Sequence, residues 1–210
     1  MSMMFEGRKA YSIAEAEVRV AVASLDPELT AAERGITFDS SAGRFVVPFL
    51  GEDVSVGFPG GEVTGASGKP LSGAVAIVAL HYLYYRGEPL RAAGWLAYRD
   101  MPGGRDFSRA FESMAESRLA DRFGDAPEEF VRVAHSLDGK AGDAGDYSFV
   151  IQALPRVHIL VILWPSTDDV AGAANILFQP SIPYYLHTED IAALGIVTAE
   201  RLCLPLKGRK

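Results

Sequence analysis

The sequence predicts an α+β fold in a single domain, a mostly antiparallel sheet packed by several helices, and three observations carry that expectation. Apolar runs at Tyr147 to Ala153 and Val157 to Trp164 are joined by Leu154-Pro155-Arg156 and followed by a third run, Ala174 to Phe178. Helical patterns precede and follow these strands instead of alternating with them, the order expected when helices and sheet are segregated. The 210 residues are 49% hydrophobic, so one core can bury roughly 70% of the surface an unfolded chain exposes. No repeat, low-complexity tract or linker divides the chain. The expected domain is therefore 1–210, with a helical arm at about 12–35 and a tail at about 205–210.

Ser12-Ile13-Ala14-Glu15 has the form of a capping box and predicts a helix from Ile13 to Leu25. Asp26-Pro27 ends it and starts another, which Gly35 closes. Arg44 to Leu50 and Asp53 to Phe58 are strand-like runs spaced for a two-residue hairpin turn at Gly51-Glu52, and Pro48 relegates the first run to an edge or a bulge. Pro59 to Gly73 is glycine-rich and reads as a loop.

Ala74 to Tyr85 is apolar on nearly every side, which predicts a helix packed on more than one face, with Gly87 as its cap. Trp95 to Arg99 reads as a short strand, and Met101-Pro102-Gly103-Gly104 places proline and glycine where a type II turn needs them. Phe107, Phe111, Ala115, Leu119 and Phe123 recur every four residues, with Ala110 and Met114 on the same face, and predict a helix over Asp106 to Phe123 that Gly124 stops. Asp125-Ala126-Pro127-Glu128 offers an aspartate cap to a helix ending near Ser136. Past a polar loop at Asp138 to Gly145 and the three strands, Ile182 to Leu186 precedes a short helix over Glu189 to Leu194 capped by Thr188 and ended by Gly195. A last short helix capped by Thr198 runs toward Cys203.

Composition removes several function classes. Cys203 is the only cysteine, so zinc ribbons, four-cysteine clusters and CxxC redox pairs are excluded, and only an intermolecular disulfide remains open. A net charge of −7 disfavours a nucleic-acid partner, and Lys207, Arg209 and Lys210 read as a solvated tail. Charges at Glu15, Glu17 and Arg19 interrupt any signal-peptide core, and Ala74 to Tyr85 and Val157 to Trp164 both fall short of the roughly 20 residues that span a bilayer. No membrane partner is expected, and the expected setting is soluble and cytoplasmic.

The familiar site motifs fail on inspection. Gly65-Ala66-Ser67-Gly68-Lys69 resembles a phosphate loop, but Val63 stands where glycine belongs and Pro70 where the magnesium-binding hydroxyl belongs. Lys69 breaks a serine-nucleophile elbow in the same stretch. Asp138, Asp143 and Asp146 do not keep calcium-loop spacing. Among His81, His135, His158 and His187 no pair has the i, i+4 spacing of a helical metal site, and His187-Thr188-Glu189 lacks the cysteine pair of a zinc deaminase. Neither metal nor cofactor is expected.

Five residues remain as candidate ligand contacts. His81 ends an apolar helix beside Tyr82, Tyr84 and Tyr85, where burial favours the neutral ring and the helix carboxyl end the charged one. Trp95 and Arg99, on one face of a short strand with Ala97, form an aromatic and guanidinium pair suited to clamp an anion, unless Arg99 pairs with Asp100, Asp106 or Glu189. Glu189 and Asp190 form a carboxylate pair at a helix amino terminus, where acids are favoured in any case.

Read together, His81-Tyr82-Leu83, Trp95 to Arg99 with Met101-Pro102-Gly103-Gly104, Asp146 with Leu154-Pro155-Arg156-Val157 and Leu163-Trp164, Leu177-Phe178, and Tyr185-Leu186 before Glu189-Asp190 resemble an uncharacterised prokaryotic domain family common in anaerobes, over about Ala14 to Leu204. Some members of that family carry an added cysteine-rich segment suited to an iron-sulfur cluster, so the resemblance implies a redox or corrinoid context. Those cysteines are absent here, and Gln179 stands where the family suggests an acid.

The sequence alone determines no function and leaves open whether the protein is an enzyme; it ranks three readings. The first is a non-catalytic accessory domain that holds a small anionic ligand or a protein partner near His81, Trp95 and Arg99. The second is an enzyme using His81 with Glu189 or Asp190 for acid and base work. The third is a homo-oligomerisation module with exposed apolar surface at Tyr184 and Tyr185.

Overall fold

A computed structural model describes residues 18–204. Residues 18–23 are helical, while the expected Ser12 capping box lies outside the described residues. Helix α1 (Pro27–Arg34) comes next and forms as its residues dictate: Asp26 accepts a hydrogen bond from the Leu29 N–H, Pro27 occupies the first turn, and Gly35 closes the helix at φ 67°.

Strands β1 (Thr37–Asp39), β2 (Arg44–Phe49), β3 (Glu52–Gly57) and β4 (Val63–Thr64) form an antiparallel sheet in that order. The β2–β3 turn is Leu50-Gly51, one residue earlier than the spacing suggested. Both residues have positive φ, 47° and 78°, as a hairpin turn of matching twist requires. Leu50 tolerates that conformation because its side chain is buried and its N–H donates to the Ala153 carbonyl at 3.0 Å, which ties this sheet to the second one. Pro48 does not make β2 an edge strand. Strand β1 covers only Arg44 to Val46, so the proline sits beyond its end. The loop after β3 carries β4, a strand too short to show a period in the sequence.

Helix α2 (Ala74–Tyr84) is apolar all round and buries Ile77, Val78, Leu80, Tyr82 and Leu83. It ends at Tyr85 in extended backbone, so Gly87 is not its cap; the Gly87 N–H instead donates to the Tyr184 carbonyl. Strand β5 is only Leu96–Ala97, and Tyr98–Asp100 turn as a 3-10 helix. Gly103, at φ 75°, completes the expected type II turn, with the Gly104 N–H donating to the Met101 carbonyl.

Helix α3 comprises Ser108–Phe111, a π-helical turn Glu112–Glu116 and Ser117–Phe123. The wide turn has a reading in the sequence. Apolar residues spaced by four drift around an ideal helix of 3.6 residues per turn, and one π turn takes up the excess so that Phe111, Ala115, Leu119 and Phe123 all stay buried. Phe107 and Met114, expected on that face, are exposed instead. Helix α4 (Pro127–Ser136) starts from Ala126 without a side-chain cap, so Asp125 does not cap it.

The second sheet has the order β5-β9-β8-β7-β6 and is antiparallel throughout, with β6 (Lys140–Ala141), β7 (Tyr147–Leu154), β8 (Val157–Trp164) and β9 (Ala173–Phe178). β8 lies between β7 and β9 and buries every residue from Ile159 to Leu163, which explains its continuous apolar run. Each such side chain contributes about 1.5–3 kcal/mol on burial.

Helix α5 (Ile182–Tyr185) is a single turn, and α6 is one helix over Thr188–Cys203, not two short ones. Gly195 does not end it. A Cβ there would lie 2.6 Å from the buried Phe111 ring and 3.0 Å from Phe178, so the glycine admits α3 and β9 against α6. Thr198 is likewise internal, its hydroxyl donating back to the Leu194 carbonyl at 2.7 Å. One continuous cluster of buried residues includes both sheets and α2, α3, α4 and α6.

Candidate functional site

The chain order Leu186-His187-Thr188-Glu189-Asp190 places His187 as the N-cap of α6, with Asp190 in its third helical position. Asp190 is 4% exposed. Its Oδ2 accepts from the His187 backbone N–H at 3.2 Å, satisfying a donor the helix itself cannot pair. The same oxygen lies 2.6 Å from Nδ1 of His81, in the last turn of α2. A carboxylate only accepts, so His81 Nδ1 donates and, in the neutral ring, Nε2 carries the lone pair. The His81 ring meets the His187 ring edge to face at 5.1 Å and Tyr84 at 5.6 Å. Tyr85, one turn along α2 from His81, lies 3.6 Å from the His187 ring between centroids. Burial pushes the His187 pKa down from 6.5, helped by His81 and opposed by Asp190.

A cleft of about 740 Å³ opens beside this cluster. Tyr85 and His187, the Pro102-Gly103 turn with Tyr98, and Ala192, Ala193, Ile196 and Val197 of α6 all line it. The exposed Phe107 and Met114 line it, which accounts for two apolar side chains that the core leaves out. Its rim carries Asp106, Glu189 and His187, with Glu200 paired to Arg118 at 3.2 Å, and among the described residues no lysine or arginine lines it. Burial, with a smaller contribution from Glu189, raises the Tyr98 phenol pKa.

The five residues singled out in the sequence are distributed unequally. His81 and Asp190 are in direct contact, and Glu189 lines the cleft. Trp95 and Arg99 line neither the cleft nor the histidine cluster. They share no strand face with Ala97 because the strand stops at Ala97 and the 3-10 turn rotates the residues after it. Arg99 is exposed and faces the field of Glu116; no ion pair with Asp100, Asp106 or Glu189 is present among the described residues. That segment instead delivers Tyr98, 4% exposed and stacked on Phe111 at 4.8 Å, into the cleft wall.

His187 was visible as a histidine but not as a neighbour of His81. The signal that identifies it is the spacing His187-x-x-Asp190, an N-cap followed by an acid at the third position. Gln179, where the family suggests an acid, is used structurally. Its Oε1 accepts from the His158 N–H at 3.0 Å, and its Nε2 donates to the Arg156 carbonyl at 2.7 Å.

A second buried polar site lies on the other side of the same segments. The Arg34 side chain is completely buried, with Nη2 donating to the Tyr85 carbonyl at 2.5 Å. Its guanidinium carbon lies 5.8, 5.5 and 5.3 Å from the ring centroids of Tyr82, Tyr184 and Tyr185. Nε and Nη1 have no hydrogen-bond partner among the described residues. Tyr184 and Tyr185 are thus half-buried walls of this cage, with the Tyr184 hydroxyl donating to Glu33 at 2.8 Å, and not the exposed apolar surface expected of them.

No helix among the described residues is long and apolar enough to cross a membrane. No curated protein and no solved structure matches the chain. A family model does match, over residues 26–201, which include α1, both sheets and the α6 amino terminus with its histidine and aspartate: the chain belongs to the family described as Domain of unknown function (DUF3786).

Proposed function

We propose that this protein is a small-ligand-binding accessory domain and that the cleft beside α6 holds an organic cation with an apolar body. The observation that carries the reading is the lining: aromatic and aliphatic walls from Tyr85, Tyr98, Phe107, Met114 and Ile196 under a rim of Asp106 and Glu189. Apolar walls with a few convergent polar groups are the usual form of a small-molecule site. Aromatic faces and carboxylates both favour positive charge. The rim therefore favours a cation over the anion that Trp95 and Arg99 suggested. A cytoplasmic setting belongs to the same reading, supported by the single cysteine, Cys203. So does the anaerobic redox or corrinoid context that the resemblance implies, although one thiol cannot hold an iron-sulfur cluster.

The test is a thermal-shift and calorimetric panel of phenethylammonium, a quaternary ammonium, benzoate and inorganic phosphate. The expected result is a rise in Tm with the cations and none with the anions, weakened at least several-fold by Glu189→Gln. A shift with the anions alone, or with no compound, overturns the reading.

A second reading, acid and base catalysis by His81, is supported by the 2.6 Å contact with Asp190, since a carboxylate that fixes a histidine tautomer is how many catalytic bases are oriented. It separates from the first by turnover of a bound cation that is lost in His81→Gln while binding survives. Binding with no turnover of any panel member decides for the accessory domain.

A further inference from the structure

We propose that His81, His187 and Asp190 form a binding site for a divalent transition-metal ion beside the cleft that His187 lines. One donor atom from each of the three side chains lies within 4.8 Å of the other two. An ion with metal–nitrogen distances of about 2.0–2.1 Å reaches all three once the side chains turn inward. Two imidazoles and one carboxylate suit zinc, iron(II), cobalt(II) or nickel(II) better than calcium or magnesium, which take oxygen donors. The set goes beyond the ligand reading and stands without it, because the ion is read by titration with metal alone.

Three features favour an ion over a purely structural cluster. The donors come from two separate elements: His81 from the last turn of α2, and His187 and Asp190 from the first turn of α6. Helix α2 packs against α6, so the backbones that carry the donors are held together before any ion arrives. Asp190 is buried with its Oδ2 directed at His81 Nδ1, and the His81 side chain is only 14% exposed, so the site is sheltered from competing water. His187, in contrast, lines the cleft. An ion bound there keeps a coordination position open toward any molecule in that cleft, the arrangement of a working metal centre as opposed to a closed structural one.

Binding balances simply. The proton between His81 Nδ1 and Asp190 Oδ2 moves to His81 Nε2, which leaves Nδ1 as a neutral ring ligand and the carboxylate as an anionic one. No oxidant or other reactant is needed. The backbone bond from His187 N–H to Asp190 is not consumed, since a carboxylate oxygen has more than one lone pair.

The experiment is a titration of the purified full chain, freed of adventitious metal, with cobalt(II), followed by visible absorption and displaced with zinc(II). One equivalent should bind with micromolar or tighter affinity, give d–d bands of nitrogen and oxygen coordination, and be bleached by zinc. His81→Gln and His187→Asn should each weaken binding at least tenfold, while His135→Gln and His158→Gln leave it unchanged. Should a variant fail to fold, the ring nitrogen resonances of the wild-type protein decide: with zinc, those of His81 and His187 must move and those of His135 and His158 must not. Absence of saturable cobalt binding overturns the proposal, as does binding indifferent to His81 and His187. A ligand-panel failure with cobalt bound would sink the cation reading alone, and the converse would sink the metal site alone.

Discussion

The tyrosine cage around Arg34 and the cluster of His81, His187 and Asp190 are built from the same two stretches of chain, yet they hold charge in opposite ways. Tyr82 and His81 are neighbours on α2, about 100° apart around the helix axis, and so face different sides; Tyr185 and His187 flank Leu186 similarly. In the cage a permanent cation is fully buried against three aromatic rings and one carbonyl, with no carboxylate bonded to it among the described residues. Glu33, its sequence neighbour, is bonded to Arg86 and Tyr184 instead. In the cluster a buried carboxylate meets one imidazole directly and a second imidazole lines the cleft. An arginine keeps its charge at ordinary pH, so the cage serves architecture, joining α1 to α2 and α5. The cluster keeps imidazole and carboxylate groups, which can ligate or relay, beside an opening.

The largest expected effect breaks the cage. Arg34→Ala leaves a cavity under three tyrosines and is expected to cost about 3–5 kcal/mol by chemical denaturation. Arg34→Met, which fills the volume without the unpaired donors, should lie within about 1 kcal/mol of wild type. Equal losses in the two variants would mean that the charge itself holds the fold.

Breaking the cluster should cost less stability and more function. Asp190→Ala removes a cap and a charge-assisted hydrogen bond, an expected loss of about 2 kcal/mol. Binding of a cleft ligand or an ion should fall tenfold or more, whereas Arg34→Met leaves both intact. If Arg34→Met abolishes binding, the division between architecture and function fails.

Glu116 supplies a third case, a half-buried carboxylate on the π turn of α3 whose Oε1 accepts from the Ile176 N–H at 2.9 Å. Burial raises its pKa above 4.5, opposed by the Ile176 bond. The folded state therefore binds the proton more tightly than the unfolded state, and this group's contribution to stability is largest below pH 4.5 and declines as pH rises through the raised value. Glu116→Gln keeps the acceptor and removes that decline, so at about pH 7 its Tm should equal or slightly exceed the wild-type value, with the difference vanishing near pH ~4. A lower Tm at neutral pH would show that the ionised form is stabilised by a neighbour such as Arg99.

Local signals were legible in the sequence where they were sufficient. Asp26-Pro27 and Gly35 bounded α1, and the apolar runs marked β7, β8 and β9, because caps and buried strands are written in adjacent residues. Gly195 misled because its small size serves a contact with Phe111 on another helix, not a chain turn. The π turn was hidden by its own effect, since a four-residue apolar period looks like an ordinary amphipathic helix. His81 and Asp190 could each be named as candidates. Their meeting across 109 residues, and the arrival of His187 beside them, depend on α2 packing along α6, which no local pattern encodes. Arg34 carried no signal at all, because an arginine in the last turn of a helix is what its dipole prefers on any surface.

The central claim, that the working site is the α6 amino terminus and its cleft, is tested most directly by mapping amide chemical shifts of the labelled protein during titration with phenethylammonium. Saturable changes confined to Tyr85, to Tyr98 through Phe107 and to His187 through Val197, with Arg34 and Tyr184 unmoved, are the predicted result. Changes centred on the Arg34 cage, or none anywhere, would contradict it.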